Sequence, residues 1–425
     1  MIIGSGKLVA NLHQFDQLDT AIRMIIVSEK AKQANTSKDR VYIHPSSMGY
    51  GLISMKNSVE NSLIYTYMYL LLDEDLSAQR ALFKEFVVRQ RRNLIRDAEA
   101  LFTKYGLSSS ITVSEVDRCV YVNGNPFSKA TSAARHVCKL MEQARQAMYI
   151  SNWKSKPTSS ASLNFVDIKL SSLWISRGAL SAKNFRDAIS VSESLLYTRV
   201  LSGTNIGRAA KCRWCSLHNE TTEHVVVGCH HFRTSIQLSR HNNGIRVIWD
   251  ALCRKHKFHM VHYSHEVIPV YANDSIKMLH DQPLVTPHRL HHNRPDITLV
   301  DHVAKRVLII EFAVTWYTRL DKQYDLKYSK YAINSMMVDN IAQLPYHPDK
   351  SLKAELELVY PGYTASVHPI VIGASGEVSR RTYDTIKDLD IGCPDLLLEK
   401  IQRAVVIGTV WLVRAHLSGP SVLQS

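Results

Sequence analysis

Two carboxylates lie in a short apolar stretch, RPDITLVDHVAKRVLIIEFAV, at residues 294–314. Asp296 follows Pro295, which fixes the backbone at the start of one apolar run, and Glu311 lies inside the next run. A buried glutamate needs a partner or a cation, because an isolated charge in an apolar strand is costly. Two acids facing one point form a hard oxygen site suited to Mg²⁺ or Mn²⁺, which can activate water and stabilise charge on a phosphate.

The alternative is structural, with Glu311 paired to a Lys or Arg and serving only the stability of the fold. The segment DKQYDLKYSKYAINSMM follows and is predicted to be a helix that contains Lys327 and Lys330. Because these lysines are three residues apart, they lie on one helical face. A lysine near a scissile phosphate can orient the nucleophile and stabilise developing charge, whereas lysines on helices are otherwise mostly solvent-exposed.

A second group of residues suits a softer metal ion. The segment CRWCSLHNETTEHVVVGC has the spacing C-x2-C-x8-H-x4-C, formed by Cys212, Cys215, His224 and Cys229. Zinc takes four tetrahedral ligands and favours thiolate and imidazole, so this spacing predicts a structural zinc site. The alternative is a chance cluster of buried thiols. Three other histidines are close enough in sequence to replace the histidine ligand: His218, His230 and His231.

Strands and helices must position these groups. Residues 294–373 contain four predicted strands, DITLV, RVLIIEFAV, ELELVY and HPIVIG, with helical segments between and after them. If the first two strands pair through the turn near Asp301–Lys305, Asp296 and Glu311 meet at one edge of the sheet. Strands that alternate with helices predict an α/β layer.

The N-terminal half has helical periodicity, broken near Asp73–Asp75 and ended by Gly106. A strand-like alternation follows and ends in an Asn-Gly turn, and residues 154–164 have the composition of a linker. The predicted fold class is mixed, with an α-helical N-terminal half, a small zinc knuckle and an α/β domain. The predicted segments are a helical segment 1–106, a mixed region with linker 107–165, a helical linker 166–210, a knuckle 211–237 and an α/β domain 238–425.

Composition limits the class of protein. A chain of 425 residues with 45% hydrophobic content predicts two or three folded domains. The net charge of +14 favours an acidic partner, most often nucleic acid, over a merely basic surface. Seven cysteines and no signal-peptide pattern predict an intracellular, reducing compartment. The longest apolar run, SLIYTYMYLLL, is about half a bilayer span, which predicts a core helix and no membrane partner.

The order of these motifs resembles the C-terminal part of non-LTR retrotransposon proteins that carry a restriction-like endonuclease. The matching pieces are CRWC, ETTEH, RHN, RPDI, the acid in an apolar strand, LKYSKY and HPIVIGASGEV, within about residues 190–415. In that family a Cys-Cys-His-Cys knuckle precedes an endonuclease of the PD-(D/E)xK type. The resemblance therefore implies a restriction-endonuclease-like domain with a central mixed sheet in residues 238–425.

The resemblance also implies roles for residues. Asp296 and Glu311 fall on the family's metal-binding acids, which would take Mg²⁺ or Mn²⁺, and Lys327 or Lys330 falls on its downstream lysine. The acid-x-Lys position after Glu311 is Ala313. This departs from the general nuclease pattern, but in this family the lysine is moved to the following helix. The choice between the two lysines stays open.

Nucleic-acid contacts are implied as well. The RHN motif falls on an upstream basic motif with a role in DNA contact or active-site support, and a further basic residue precedes the acid pair. The expected nucleic-acid-binding residues are Arg240, His241, Asn242 and Arg294. The family's knuckle falls on the four predicted zinc ligands, Cys212, Cys215, His224 and Cys229.

In this family the endonuclease nicks chromosomal DNA, and the free 3′ end primes reverse transcription of the element's RNA. The resemblance implies a nuclear location and DNA as partner, and leaves the element's RNA open as a second one. The polymerase needs a Tyr/Phe-x-Asp-Asp turn, and the sequence contains no Asp-Asp pair. We therefore expect a fragment with Mg-dependent endonuclease chemistry and no reverse transcriptase activity. The alternatives are a non-enzymatic zinc-knuckle nucleic-acid-binding protein and a decayed retroelement relic.

Overall fold

The structure is a computed structural model that describes most of the chain in seven stretches. These stretches are residues 12–114, 116–156, 161–177, 180–202, 210–258, 268–333 and 351–420. Parts of four predicted segments lie outside the described residues. They are 1–11 of the helical segment, 115 and 157–160 of the mixed region with linker, 178–179 and 203–209 of the helical linker, and 259–267, 334–350 and 421–425 of the α/β domain, which include 334–337 of the helix that carries Lys330. The chain forms two compact units, Met1–Pro45 with Gly49–Lys156 and Ser46–Met48 with Pro157–Ser425. The main boundary between them falls inside the predicted linker 154–164.

The first unit combines six described helices with one small sheet. The helices are α1 (Leu12–Ser28), α2 (Lys38–Tyr42), α3 (Met55–Leu72), α4 (Ser77–Val88), α5 (Leu94–Lys104) and α6 (Ala130–Lys154). The antiparallel sheet has the order β1 (Ile111–Ser114), β2 (Cys119–Val122) and β3 (Asn125–Phe127). The predicted Asn-Gly turn joins β2 to β3, with positive φ at both Asn123 and Gly124, as a tight hairpin turn requires.

The apolar run SLIYTYMYLLL forms a core helix, as the sequence predicts. Ser54 begins α3 by accepting a hydrogen bond from the backbone N–H of Asn57, which satisfies one of the free donors at a helix start. Leu63, Ile64 and Met68 are buried against α5, α6 and the small sheet. Among the described residues, no helix is both long and apolar enough to cross a bilayer.

A buried ion cluster links three helical segments of the first unit. Glu60 on α3 accepts hydrogen bonds from Lys104 (2.7 Å), Tyr105 (2.5 Å) and Arg145 (2.9 Å). The side chains of Glu60 and Arg145 are both fully buried. Burial alone would raise the pKa of Glu60, but the hydrogen bonds from Lys104 and Tyr105 bring this pKa below its ordinary value. The carboxylate is therefore held ionised inside the core.

The second unit contains the larger sheet and eight described helices. The helices are α7 (Ile168–Ser171), α8 (Leu173–Ser176), α9 (Ala182–Ser192), α10 (Ile236–Lys255), α11 (Leu320–Ala332), α12 (Leu352–Val359), α13 (Arg380–Asp388) and α14 (Pro394–Ser418). The sheet has the order β4 (Val270–Ala272), β5 (Ile276–His280), β6 (Ile297–Asp301), β7 (Arg306–Thr315) and β8 (Thr364–Gly373). Strands β4 to β7 pair antiparallel, and β7 pairs parallel with β8. The predicted mixed α/β class is confirmed at this level.

The two faces of this sheet pack against different helices. Leu308, Ile310 and Phe312 of β7 lie in one core with residues of α10, α13 and α14. Val307 and Ile309 lie in another core with residues of α11 and α12. Because side chains alternate along a strand, Glu311 falls on the α11 face. Both faces of β7 are covered, which explains why its sequence is apolar almost throughout.

One predicted strand is wrong. The run ELELVY, predicted as a strand from its alternating apolar residues, belongs to helix α12 up to Val359. Ser351 begins this helix by accepting a hydrogen bond from the backbone N–H of Ala354. Leu352, Glu355 and Leu356 are buried together, as the spacing of one helical face dictates. The helical spacing of these three buried residues and the Ser351 N-cap therefore decide the structure of this segment over the short alternation of apolar residues in ELELVY.

We predict that Glu60→Gln weakens the first unit at neutral pH by about 3–5 kcal/mol, because it removes the one fully buried carboxylate that pairs with the fully buried Arg145 among the described residues. Since the pKa of Glu60 is lowered in the folded state, this stabilisation is present above the ordinary carboxyl pKa and lost as the pH falls through the lowered value. The gap between wild type and variant should therefore narrow below about pH 4. Hydrogen exchange of peptides from α3 and α6, measured across this pH range, gives the difference in stability between wild type and the variant.

The matched control is Glu142→Gln, which removes an exposed carboxylate 3.5 Å from the same arginine. An exposed ion pair contributes less than about 1 kcal/mol, so this variant should keep nearly wild-type protection. Equal loss of protection in the two variants would contradict the importance of the buried pair.

Candidate active site and metal centre

Asp296 and Glu311 are neighbours across the β6–β7 ladder. In this ladder Ile297 pairs with Ile310 and Asp301 with Arg306, so the two acids occupy the next opposed positions. The backbone N–H of Phe312 donates to Asp296 Oδ2 at 2.7 Å, and that of Asp296 donates to Glu311 Oε2 at 3.3 Å. The pairing predicted through the turn at Asp301–Lys305 is therefore observed, and it brings both carboxylates to one place.

The two carboxylates differ in their access to solvent. The side chain of Glu311 is 3% exposed and that of Asp296 is 17% exposed. Asp296 Oδ2 is held by the Phe312 N–H, whereas Oδ1 accepts no hydrogen bond from the part of the chain that the structure describes. Asp296 thus keeps one carboxylate oxygen without a donor among the described residues, on a side chain that solvent can reach.

Lys327 and Lys330 extend from α11 to a single oxygen. Lys327 Nζ lies 2.6 Å and Lys330 Nζ 3.0 Å from Glu311 Oε1. Their shared helical face, predicted from the spacing, points at the sheet, and each side chain is about one-fifth exposed. Lys327 also acts on Asp296, since its charge helps to lower the pKa of that acid. Both lysines therefore belong to the carboxylate cluster, and Lys327 faces both acids.

His241 contacts the same cluster from the opposite helix layer. Its Nε2 lies 3.5 Å from Asp296 Oδ2 and 3.2 Å from the carbonyl oxygen of Phe312. Burial would lower the pKa of His241, but the hydrogen bond and charge of Asp296 raise it above its ordinary value. Burial would likewise raise the pKa of Asp296, and His241 outweighs this effect and lowers it. The pair therefore favours an imidazolium against a carboxylate.

Close helix packing sets the position of His241. Gly244 lies one turn further along α10, where a Cβ atom would come within 2.4 Å of the Phe312 ring. Only glycine permits this approach of α10 to β7.

Arg240, the residue before His241, lies against α14. It is 3% exposed and donates a hydrogen bond to the hydroxyl of Thr409 at 2.9 Å. Burial lowers the pKa of Arg240 to about 10.

The expected nucleic-acid contacts occupy three different environments. Arg240 is buried, and its guanidinium supports the α10–α14 packing; of the two roles expected for the RHN motif, DNA contact or active-site support, this position suits support. Asn242 is exposed, with Oδ1 3.4 Å from His241 Nδ1. Arg294 is 57% exposed and pairs with Asp281 at 2.8 Å. Asn242 and Arg294 are thus accessible to a ligand, and His241 is part of the carboxylate cluster.

The four predicted zinc ligands come together around one point. The ligand atoms of Cys212, Cys215, His224 and Cys229 all lie within 4.8 Å of one another. Cys212 Sγ is 3.9 Å from Cys229 Sγ, and Cys215 Sγ is 3.4 Å from His224 Nε2. All seven cysteines are free. This group can hold a metal ion such as zinc.

The structure favours His224 over the other histidines as the fourth ligand. His224 lies on a short π-helical turn, His224–Gly228, that ends beside Cys229. His218 and His230 are exposed, and His231 stacks on Trp214 at 4.6 Å between ring centroids. Burial lowers the pKa of His224, so the imidazole is kept neutral, as metal ligation requires.

Buried polar contacts fasten this cluster to the C-terminal helix. Glu220, fully buried, accepts hydrogen bonds from the backbone and guanidinium of Arg213. Arg213 in turn donates to the carbonyl of Leu417, and Trp214 donates to that of His416. Cys212 Sγ lies 3.3 Å from His416 Nε2. The cluster and α14 are therefore parts of one packed structure.

Three further residues contribute, and two of them could not be found from the sequence. His416 and Thr409 lie 204 and 169 residues after their partners, with no motif around them. Tyr331 is fully buried and donates its hydroxyl to the carbonyl of Arg294 at 3.1 Å. Burial and the nearby acids raise its pKa. Tyr331 follows Lys330 directly in LKYSKY, and its spacing of four residues from Lys327 was the available signal.

No protein-family model matches the chain, and no curated protein is detectably similar to it.

We predict that Cys212→Ser and His224→Ala lose most of the metal that co-purifies with the protein, because each removes one of four ligands. His416→Ala should retain stoichiometric metal with about 10- to 100-fold weaker affinity, as expected for a partner of a ligand. Metal content by plasma mass spectrometry, with chelator competition, measures both effects.

The control is Cys393→Ser, which changes an exposed cysteine outside the cluster and should keep full metal content. A His224→Ala protein that keeps its metal while His416→Ala loses it would move the site to the alternative group Cys212, Glu220 and His416.

Proposed function

We propose that this chain is a metal-dependent endonuclease that nicks DNA for the insertion of a retroelement. One observation carries the proposal: two opposed carboxylates, two lysines and one histidine converge from β6, β7, α11 and α10 on a single partly open point. This combination of hard oxygen donors and positive charge suits a scissile phosphodiester and its metal ion. The resemblance described above supplies the target class, DNA.

The residues fit a hard divalent cation. Asp296 and Glu311 offer carboxylate oxygens side by side, and Asp296 Oδ1 accepts no hydrogen bond from the described residues. These acids would hold Mg²⁺ or Mn²⁺, which when bound activates a water molecule and stabilises negative charge on the phosphate. The side chains of Lys327 and Lys330, about one-fifth exposed, leave the site reachable from solvent.

Each protein group has a role in this scheme. Lys327, which faces both acids, is the better candidate for the lysine that orients the nucleophile and stabilises the developing charge. Lys330 holds Glu311 in its orientation through the same oxygen. His241 holds Asp296 in place through Oδ2. Asn242 and Arg294 lie at accessible positions around the site, where they would contact the nucleic-acid backbone.

The cysteine cluster has a structural role in the proposal. Its Cys3His ligand set suits zinc, and a closed set of four protein ligands is typical of a structural site. Because the cluster is fastened to α14, and α14 packs on α10, zinc would stabilise the helix layer that carries His241. The net charge of +14 supports DNA as the partner, and the nuclear location implied by the resemblance is part of the same proposal.

The test is nicking of supercoiled plasmid with Mg²⁺ or Mn²⁺. Asp296→Asn and Glu311→Gln keep the side-chain shape and remove the charge, so both should lower the nicking rate by at least about 10²–10³-fold. Lys327→Ala should cost about 10²-fold, and Lys330→Ala less, because the charge of Lys327 also acts on Asp296. Chelation of the divalent ion should stop the reaction.

Two variants on the same helix serve as controls. Asp325→Asn and Lys322→Ala change exposed residues of α11 and should nick at the wild-type rate. If wild type and the acid variants all bind plasmid equally and none cuts it, the chain is a zinc-bearing nucleic-acid-binding protein. If none binds, it is a relic of a retroelement.

A further inference from the structure

The first unit contains a cavity of about 460 Å³ between the β2–β3 hairpin and α6. Its size is within the range of small-ligand sites. Six of its lining residues carry the argument: Phe127, His136, Lys139, Asn123, Asn125 and Gln143. None of its lining residues is acidic.

The cavity has an aromatic wall. The rings of Phe127 and His136 lie 4.3 Å apart between centroids, at an interplanar angle of 37°. His136 Nδ1 lies 2.9 Å from the carbonyl of Ser132. Because a carbonyl only accepts, Nδ1 carries the proton in this contact and fixes the ring. A fixed pair of rings at a cavity wall suits the face of a planar ring such as a nucleobase.

Polar groups surround this wall. Asn123 and Asn125 lie at the end of the hairpin, and their amides have the donors and acceptors that base edges present. His136, Lys139 and Gln143 follow at spacings of three and four residues, so they share one face of α6. Lys139 and the adjacent Arg135 are exposed and form no ion pair within the described residues. Two unpaired cations beside an aromatic wall suit a phosphate attached to the base.

A second cavity of similar size, in the second unit, has a different lining. It has about 440 Å³ and is lined by Asp167 and Asp321 as well as Lys322 and Arg380. Its acids oppose its cations, so it is not suited to an anionic ligand. The contrast shows that the absence of acids around the first cavity is not a general property of this basic chain.

We propose that the cavity between the β2–β3 hairpin and α6 binds an unpaired nucleotide of a single-stranded nucleic acid. The base stacks on Phe127 and His136, the amides contact its edge, and Lys139 contacts the phosphate. A base inside a duplex cannot reach such a wall, because both its faces are already stacked. The site lies in the first unit, so the inference does not depend on the nuclease proposed for the second.

The experiment measures binding of fluorescent 12-nucleotide oligo(U), oligo(dT) and a duplex by the full-length protein without added divalent metal. Phe127→Ala should weaken single-strand binding by about tenfold or more, and Phe127→Tyr should retain it, because stacking tolerates any aromatic ring. Lys139→Gln should reduce the slope of log affinity against log salt by about 0.7, the effect of one lost phosphate contact. A preference for oligo(U) over oligo(dT), or the reverse, shows whether the site binds RNA or DNA.

The charge-matched control is Arg118→Gln, at the opposite end of β2, where Arg118 pairs with Glu74. It should leave both affinity and salt slope unchanged. Photocrosslinking with 5-iodouracil oligonucleotides should map to the segment 123–143. Wild-type affinity in both Phe127→Ala and Lys139→Gln, or crosslinks that all map outside the segment 123–143, would overturn the proposal.

Discussion

The burial of a carboxylate in the middle of β7 is the constraint around which the second unit is organised. Glu311 is 3% exposed between two strands, so the surrounding structure must supply positive charge at that point. Helix α11 does so with two lysines on one oxygen, and Tyr331 anchors the same helix to the start of β6. The β6–β7 register then places Asp296 beside Glu311. The need to pair the buried charge of Glu311 therefore accounts for the position of α11 against β6 and β7.

The second constraint is the close approach of α10. Gly244 leaves room for the Phe312 ring on β7. Gly408 on α14 likewise leaves room for Arg240, because a Cβ atom at position 408 would lie 2.7 Å from Arg240 Cγ. These contacts fix the rotation of α10, which turns His241 toward Asp296 and Arg240 toward Thr409. The cysteine cluster is fastened to the end of α14. Metal ligands and carboxylates far apart in sequence are therefore connected through two packed helices.

Sequence patterns predicted the parts of this arrangement that depend on local spacing. The hairpin register joins Asp296 to Glu311, the three-residue interval aligns the lysines, and the cysteine spacing brings four ligands together. The patterns did not reveal that ELELVY is helical, because alternation over six residues fits both structures. They also could not show that Arg240 is buried or that His416 reaches Cys212. Those facts depend on packing between distant segments, which no local pattern encodes.

The chain contains its own comparison for a buried carboxylate. Around Glu60 both carboxylate oxygens receive donors from Lys104, Tyr105 and Arg145, and the charge is enclosed on every side. Such a closed cluster is what a purely structural ion pair requires. Glu311 likewise receives donors at both oxygens, from Lys327 and Lys330 at Oε1 and from the backbone N–H of Asp296 at Oε2. The difference lies in the adjacent Asp296, whose Oδ1 has no donor among the described residues and whose side chain is partly exposed. A second, partly exposed carboxylate beside a buried one is therefore what distinguishes the Glu311 cluster from the closed cluster around Glu60.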